Sequence, residues 1–152
     1  MSLEDRLAIH EVIARYSYTW DAKDPDGFAL LFTEDGVWDL VAAGETQPQI
    51  RMESRAAIRT MALQDFQERL AGVTTRHHQT GIVFDALGVD SARTRTMVLV
   101  TRQEASDAVP RLSHTGVYHD QWRKTQAGWQ FVHRTFRPDR SLSRTTGNPS
   151  KT

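Results

Sequence analysis

The stretches TTRHHQTGIVFDAL, residues 74–87, and SARTRTMVLVTRQ, residues 91–103, decide the class of fold. From Thr74 onward the side chains follow a period of two, the repeat of a β-strand. That rhythm predicts strands over 76–85, 92–104, 113–124 and 129–136. Turn chemistry separates them: Leu87-Gly88-Val89-Asp90, the polar stretch 105–111, and Thr125-Gln126-Ala127-Gly128. Upstream the period changes to that of a helix. Ile9, Val12, Ile13, Tyr16 and Trp20 form one apolar stripe over 3–20, and Ser2 and Asp5 have the spacing of a capping box. The polar run Asp21 to Asp26 breaks that helix. Asp24 can cap a second helix over 25–32, with Pro25 at its first position and Phe28, Leu31 and Phe32 on its buried side. Residues 36–41 read as a strand, 42–53 as a polar loop, and 55–70 as a third helix capped by Ser54, with Ile58, Met61, Ala62 and Phe66 inward. Helices first and a meander of strands after them predict an α+β fold, the helices covering one face of a mostly antiparallel sheet.

The chain has 152 residues, 19 basic and 19 acidic side chains, six His and no Cys. Its length suits one domain, placed at 1–137, followed by a polar flexible tail over 138–152. Zero net charge argues against nucleic acid as a partner. The lack of Cys removes disulfides, thiol nucleophiles and thiolate metal sites. No apolar run has the length of a signal peptide or a membrane span, so no membrane partner and a cytoplasmic location are expected.

The motif search excludes much. His10-Glu11-Val12-Ile13-Ala14 opens like a zinc-binding helix but has Ala14 where the second His is required. Neither a Gly-x-Ser-x-Gly elbow nor a phosphate-binding Gly loop occurs. His114 and His119 are five apart on one strand and so face opposite sides. The remaining constellation is Tyr16 and Asp21 near the end of the first helix, His77 or His78 early in a strand, and Arg134 on the last strand. A carboxylate beside an imidazole makes a general base, and phenol and guanidinium groups can stabilise an enolate or a departing oxygen. Each of the four also has an ordinary structural reading, as core aromatic, turn acid, strand His and surface ion-pair partner.

Several segments, in order, resemble the SnoaL-like branch of the nuclear transport factor 2-like superfamily over residues 4–137. They are Ile13-Ala14-Arg15-Tyr16, Trp20 to Asp24, Phe28 to Trp38, Thr75-Arg76-His77-His78, Gly116 to Asp120, and Gly128 to Phe131 with Arg134. The layout around Asp21 is similar to that of scytalone dehydratases. The resemblance implies a cone-shaped half-barrel, its N-terminal helices packed on a strongly curved sheet around a mainly apolar pocket. It further implies a cofactor-independent lyase, dehydratase-like, acting on a hydrophobic cyclic hydroxy-carbonyl molecule. His77 would be the base, Asp21 its orienting acid, and Tyr16 and Arg134 the groups that stabilise the enolate or leaving hydroxide. Trp20, Phe32, Trp38, Leu40, Met61, Phe66, Tyr118 and Phe131 would supply the pocket wall. No cofactor and no metal are called for, and a homodimer or homotrimer is implied. Two departures count against scytalone itself: Trp20 and Leu40 stand where scytalone dehydratase has Tyr, and strand 92–104 lacks its second His. Isomerase or polyketide-cyclase chemistry in the same pocket is an alternative. So is a non-catalytic small subunit like that of the aromatic-ring hydroxylases.

Overall fold

The computed structural model describes residues 2–140. Helix α1 (Leu3–Asp21) begins at the capping box, where Ser2 Oγ accepts from the Asp5 amide and Asp5 accepts from the Ser2 amide. Ile9, Ile13 and Tyr16 turn its apolar stripe into the core. A left-handed residue at Lys23 (φ 57°) closes the turn after it. Helix α2 (Pro25–Leu30) then starts at Asp24, whose carboxylate accepts from the Gly27 amide. Strands β1 (Phe32–Leu40) and β2 (Ile50–Glu53) precede helix α3 (Arg55–Glu68), capped by Ser54 as its position implies. Strands β3 (Thr74–Leu87), β4 (Ser91–Gln103), β5 (Arg111–Thr125) and β6 (Gly128–Pro138) complete the chain.

The sheet order is β2-β1-β6-β5-β4-β3, and its two edge strands do not meet. Every pairing is antiparallel except β1 with β6. Register shifts interrupt β1–β6, β3–β4, β4–β5 and β5–β6, and such bulges bend strands and let a sheet curl. The α+β class is therefore as expected, with α1 lying on β3 and β6 and α3 on β1 and β2. None of the helices among the described residues is long and apolar enough to cross a membrane.

Most element ends move by one or two residues, and three differences reach further. The segment 42–53 is not all loop, because Ile50 to Glu53 pairs with β1. Ile50 and Met52 face the core while Arg51 and Glu53 face out, but four residues are too few for a period to register. Helix α2 ends at Leu30, and Phe32 belongs to β1 opposite Phe131. The polar run Glu34-Asp35-Gly36 hides that earlier start because it is an irregularity inside the strand, where the register shifts between Phe32 and Val37. The last strand runs through Pro138, one residue past the expected domain boundary; beyond residue 140 the expected tail lies outside the described residues.

The core holds one large charged side chain. Arg134 is fully buried, its guanidinium carbon 4.0, 3.7 and 4.5 Å from the ring centres of Tyr16, Tyr118 and Phe131. Its Nε lies 3.1 Å from the equally buried Asp120 in an ion pair without hydrogen-bond alignment, and Nη2 donates to Gln79 Oε1. Burial pushes the Asp120 carboxyl up to about 6, against the opposing pull of Arg134 and Thr94. Gln79 in turn donates to Ile13 O (3.1 Å) and Ser17 Oγ (2.8 Å), which ties the same network to α1.

Two stability measurements test this packing. Gln79→Leu leaves a buried Arg134 donor without its acceptor and is expected to cost roughly 1–3 kcal/mol in urea unfolding. A Cβ at Gly116 would sit 2.4 Å from Arg137 O and 2.9 Å from Pro138 Cα. Backbone cannot yield as a flexible side chain can, so Gly116→Ala is expected to destabilise by about 1–3 kcal/mol.

Candidate active site

Asp21 is the last residue of α1, and β3 enters the sheet directly opposite it. The two Asp21 oxygens are fully engaged there. Oδ2 accepts from the His77 amide at 2.9 Å, while Oδ1 lies 2.7 Å from His77 Nδ1 and accepts from Thr75 Oγ at 2.8 Å. Both side chains are about nine-tenths buried. Burial opposes the Asp21 charge, but the hydrogen bonds and charge of His77, with the Thr75 hydroxyl, hold its carboxyl below the usual range. A carboxylate on Nδ1 leaves Nε2 of a neutral imidazole as its proton acceptor.

Strand alternation separates the two adjacent imidazoles. His77 faces the helices, and His78 is exposed on the outer face. Trp20 stands beside the dyad, its ring 6.2 Å from His77 and 4.9 Å from both Phe28 and Phe66 in edge-on contacts. Gln79, two residues beyond His77 on the same face, links the dyad to the deeper group formed by Arg134, Tyr16 and Tyr118. Tyr16 is buried, and its hydroxyl accepts from Trp38 Nε1 at 3.1 Å. Burial raises the pKa of both phenols, Tyr118 well above the normal value, so both are neutral donors at physiological pH.

The eight expected wall residues divide by depth. Phe32, Phe131 and Tyr118 are packed in the core, with Leu40 and Phe66 at its edge, whereas Trp20, Trp38 and Met61 keep partial exposure. Hollows of about 540 and 270 Å³ lie elsewhere, the first at the β3–β4 turn and the second between Asp85, Arg93, His119 and Thr135. Among the described residues, no three His, Asp or Glu side chains converge as metal ligands.

Four residues join this site without having been singled out for it. Thr75 and Gln79 flank His77 at two-residue spacing, so strand periodicity alone puts them on its face. Asp120 alternates inward with Tyr118 and Trp122 on β5. His114, also on β5, faces inward, its ring 5.4 Å from Phe136.

No curated protein matches the chain. Among solved structures, the Mycobacterium tuberculosis protein Rv3472, described as of unknown function, is 28% identical with a TM-score of 0.74, over 94% of this chain and 76% of that one. A candidate aromatic ring hydroxylase of Novosphingobium aromaticivorans is 27% identical with a TM-score of 0.76, over 94% of each chain. A candidate scytalone dehydratase of the same organism has a TM-score of 0.74 over 96% of each chain, and at 24% identity it is a likeness of fold. The model of the SnoaL-like domain matches residues 1–135, and with it the curled sheet, its covering helices and the family's segments coincide in one chain. The protein belongs to the SnoaL-like family, within the nuclear transport factor 2-like superfamily.

Proposed function

We propose that the protein is a cofactor-independent lyase that dehydrates a hydrophobic cyclic β-hydroxy ketone. The observation that carries this reading is the Asp21–His77 pair at 2.7 Å, about nine-tenths buried and facing the helix-covered side of the sheet. His77 Nε2 takes the proton from the carbon next to the carbonyl. The C–H electron pair becomes the enolate double bond. When the carbonyl re-forms, the neighbouring C–O bond breaks, and the departing oxygen takes the proton now on His77 to leave as water, which returns His77 to its neutral form. Asp21 fixes the His77 ring and supports its positive charge; Thr75 fixes Asp21. Tyr16 accepts from Trp38, which leaves its own O–H to donate to the departing oxygen. Arg134, under the Tyr16 ring, favours negative charge at that hydroxyl.

Isomerase or cyclase chemistry would use the same base, and product mass separates the two: loss of water marks the lyase. A scaffold role, as in hydroxylase small subunits, has no use for an oriented imidazole on the covered face of the sheet. Met97, Leu99 and Val117 lie on the opposite, outer face, and we read that face as the one through which copies of the chain associate.

Asp21→Asn and His77→Gln should each lower turnover of a cyclic β-hydroxy ketone by roughly 10²-fold or more, the usual worth of general acid–base catalysis. His78→Gln, on the outer face, should leave turnover unchanged. Mass spectrometry of products from a panel of such ketones reads both effects. Undiminished turnover in Asp21→Asn and His77→Gln would remove the dyad from the mechanism. Light scattering is expected to give a dimer or trimer mass, and a monomer would refute the reading of the outer face.

A further inference from the structure

The register across three strands places His77, Val100 and His114 in one row, His77 opposite Val100 and Val100 opposite His114. Paired residues share a face of a sheet, and His77 identifies that face as the one under the helices. Adjacent strands lie about 4.8 Å apart, so the two imidazoles stand on backbone positions roughly 10 Å apart, with Val100 as the floor between them. Val100 is buried in the core between them, so a ring seated there displaces the side chains that cover it.

His114 is suited to a particular task there. Its Nδ1 lies 3.0 Å from Ser113 Oγ, and among the described residues no partner is found for Nε2. A hydroxyl that donates to Nδ1 puts the ring proton on Nε2. Burial, with the nearby charges of His77 and Arg69, lowers its pKa to about 4, so the ring stays neutral while His77 cycles through its charged form. Phe136 closes the wall on one side, its ring 5.4 Å from His114 and 5.2 Å from Tyr118. A neutral imidazole N–H is a donor that stabilises a carbonyl or enolate oxygen without giving up its proton.

We infer that His114 is a second substrate-contacting residue of this site, its Nε2–H donating to the carbonyl oxygen of a ring seated over Val100 with His77 on the other side. The inference rests on the dyad being a small-molecule site. It divides the labour in that site: His114 takes the enolate oxygen, and Tyr16 with Arg134 takes the departing one. His114 neither gains nor loses a proton in the cycle.

The probe is 1-tetralone, whose oxygen can only accept, compared with tetralin, which has the same rings and no oxygen. Nitrogen-detected NMR of the histidine rings is expected to show the His114 proton on Nε2 and to show that signal moving with 1-tetralone but not with tetralin. The wild-type chain should prefer 1-tetralone by about 3- to 10-fold, the worth of one hydrogen bond. His114→Phe should abolish the preference, and His114→Gln, which keeps an N–H donor, should restore part of it. If the His77 and Trp20 signals respond while the preference survives in His114→Phe, His114 is not the donor and the pocket reading stands. If none of the three side chains responds to either probe, the pocket reading falls and the inference with it.

Discussion

A buried guanidinium organises this protein. Moving an isolated charge into an apolar interior costs several kcal/mol, so Arg134 is tolerable only where its surroundings answer it. They do so from four elements: Tyr16 on α1, Gln79 on β3, Tyr118 and Asp120 on β5, and Phe131 on β6. Three aromatic faces, one carboxylate and one amide fix how α1 lies across the sheet. The answer is incomplete, because Arg134 Nη1 and Asp120 Oδ1 have no hydrogen-bond partner. Raising the Asp120 pKa to about 6 is the electrostatic mark of that imperfect match. Apolar residues of similar volume are often as stabilising as a buried ion pair, so this pair is not what stability alone would select.

The same contacts couple fold and site. Gln79 binds α1 through Ile13 and Ser17, and its neighbour on that face, His77, binds the end of α1 through Asp21. The helix is thus pinned to β3 at two levels about two turns apart. A shift of α1 along β3 would break the dyad and uncap the guanidinium together. The imidazole is consequently held by the backbone as well as by its ring, since Asp21 accepts from both the His77 amide and Nδ1.

Much of this is legible in the sequence. Period two from Thr74, the helical stripe from Ile9 to Trp20 and the caps at Ser2, Asp24 and Ser54 are local signals with local causes, and each has its counterpart in the structure. What local signals miss is whatever depends on partners distant in the chain. The four-residue strand β2 exists because β1 offers it an edge, and the start of β1 at Phe32 depends on Phe131, about a hundred residues later. One strand by itself makes Arg134 a surface ion-pair partner, whereas the structure buries it completely. Only the bent sheet brings three aromatic rings around it. The inward direction of His77 follows from alternation once Thr75 and Gln79 are seen to share its face. The role of Asp120 does not, because a lone carboxylate on a strand has no pattern to stand out from.

The family's fold is compatible with enzymes and with scaffold subunits, so architecture cannot decide what this chain does. The reading proposed for it rests on the polar groups on the covered face. A scaffold needs that face only to be filled, and apolar side chains fill it at lower cost than charged ones. Here the face carries a carboxylate–imidazole pair, a second imidazole held neutral, two neutral phenols and a guanidinium. Each costs desolvation, and each is worth more to a reacting molecule for the same reason, because water is not there to compete. These groups also stand at different depths: the carboxylate–imidazole pair lies at the end of α1, and the phenol and guanidinium lie below it.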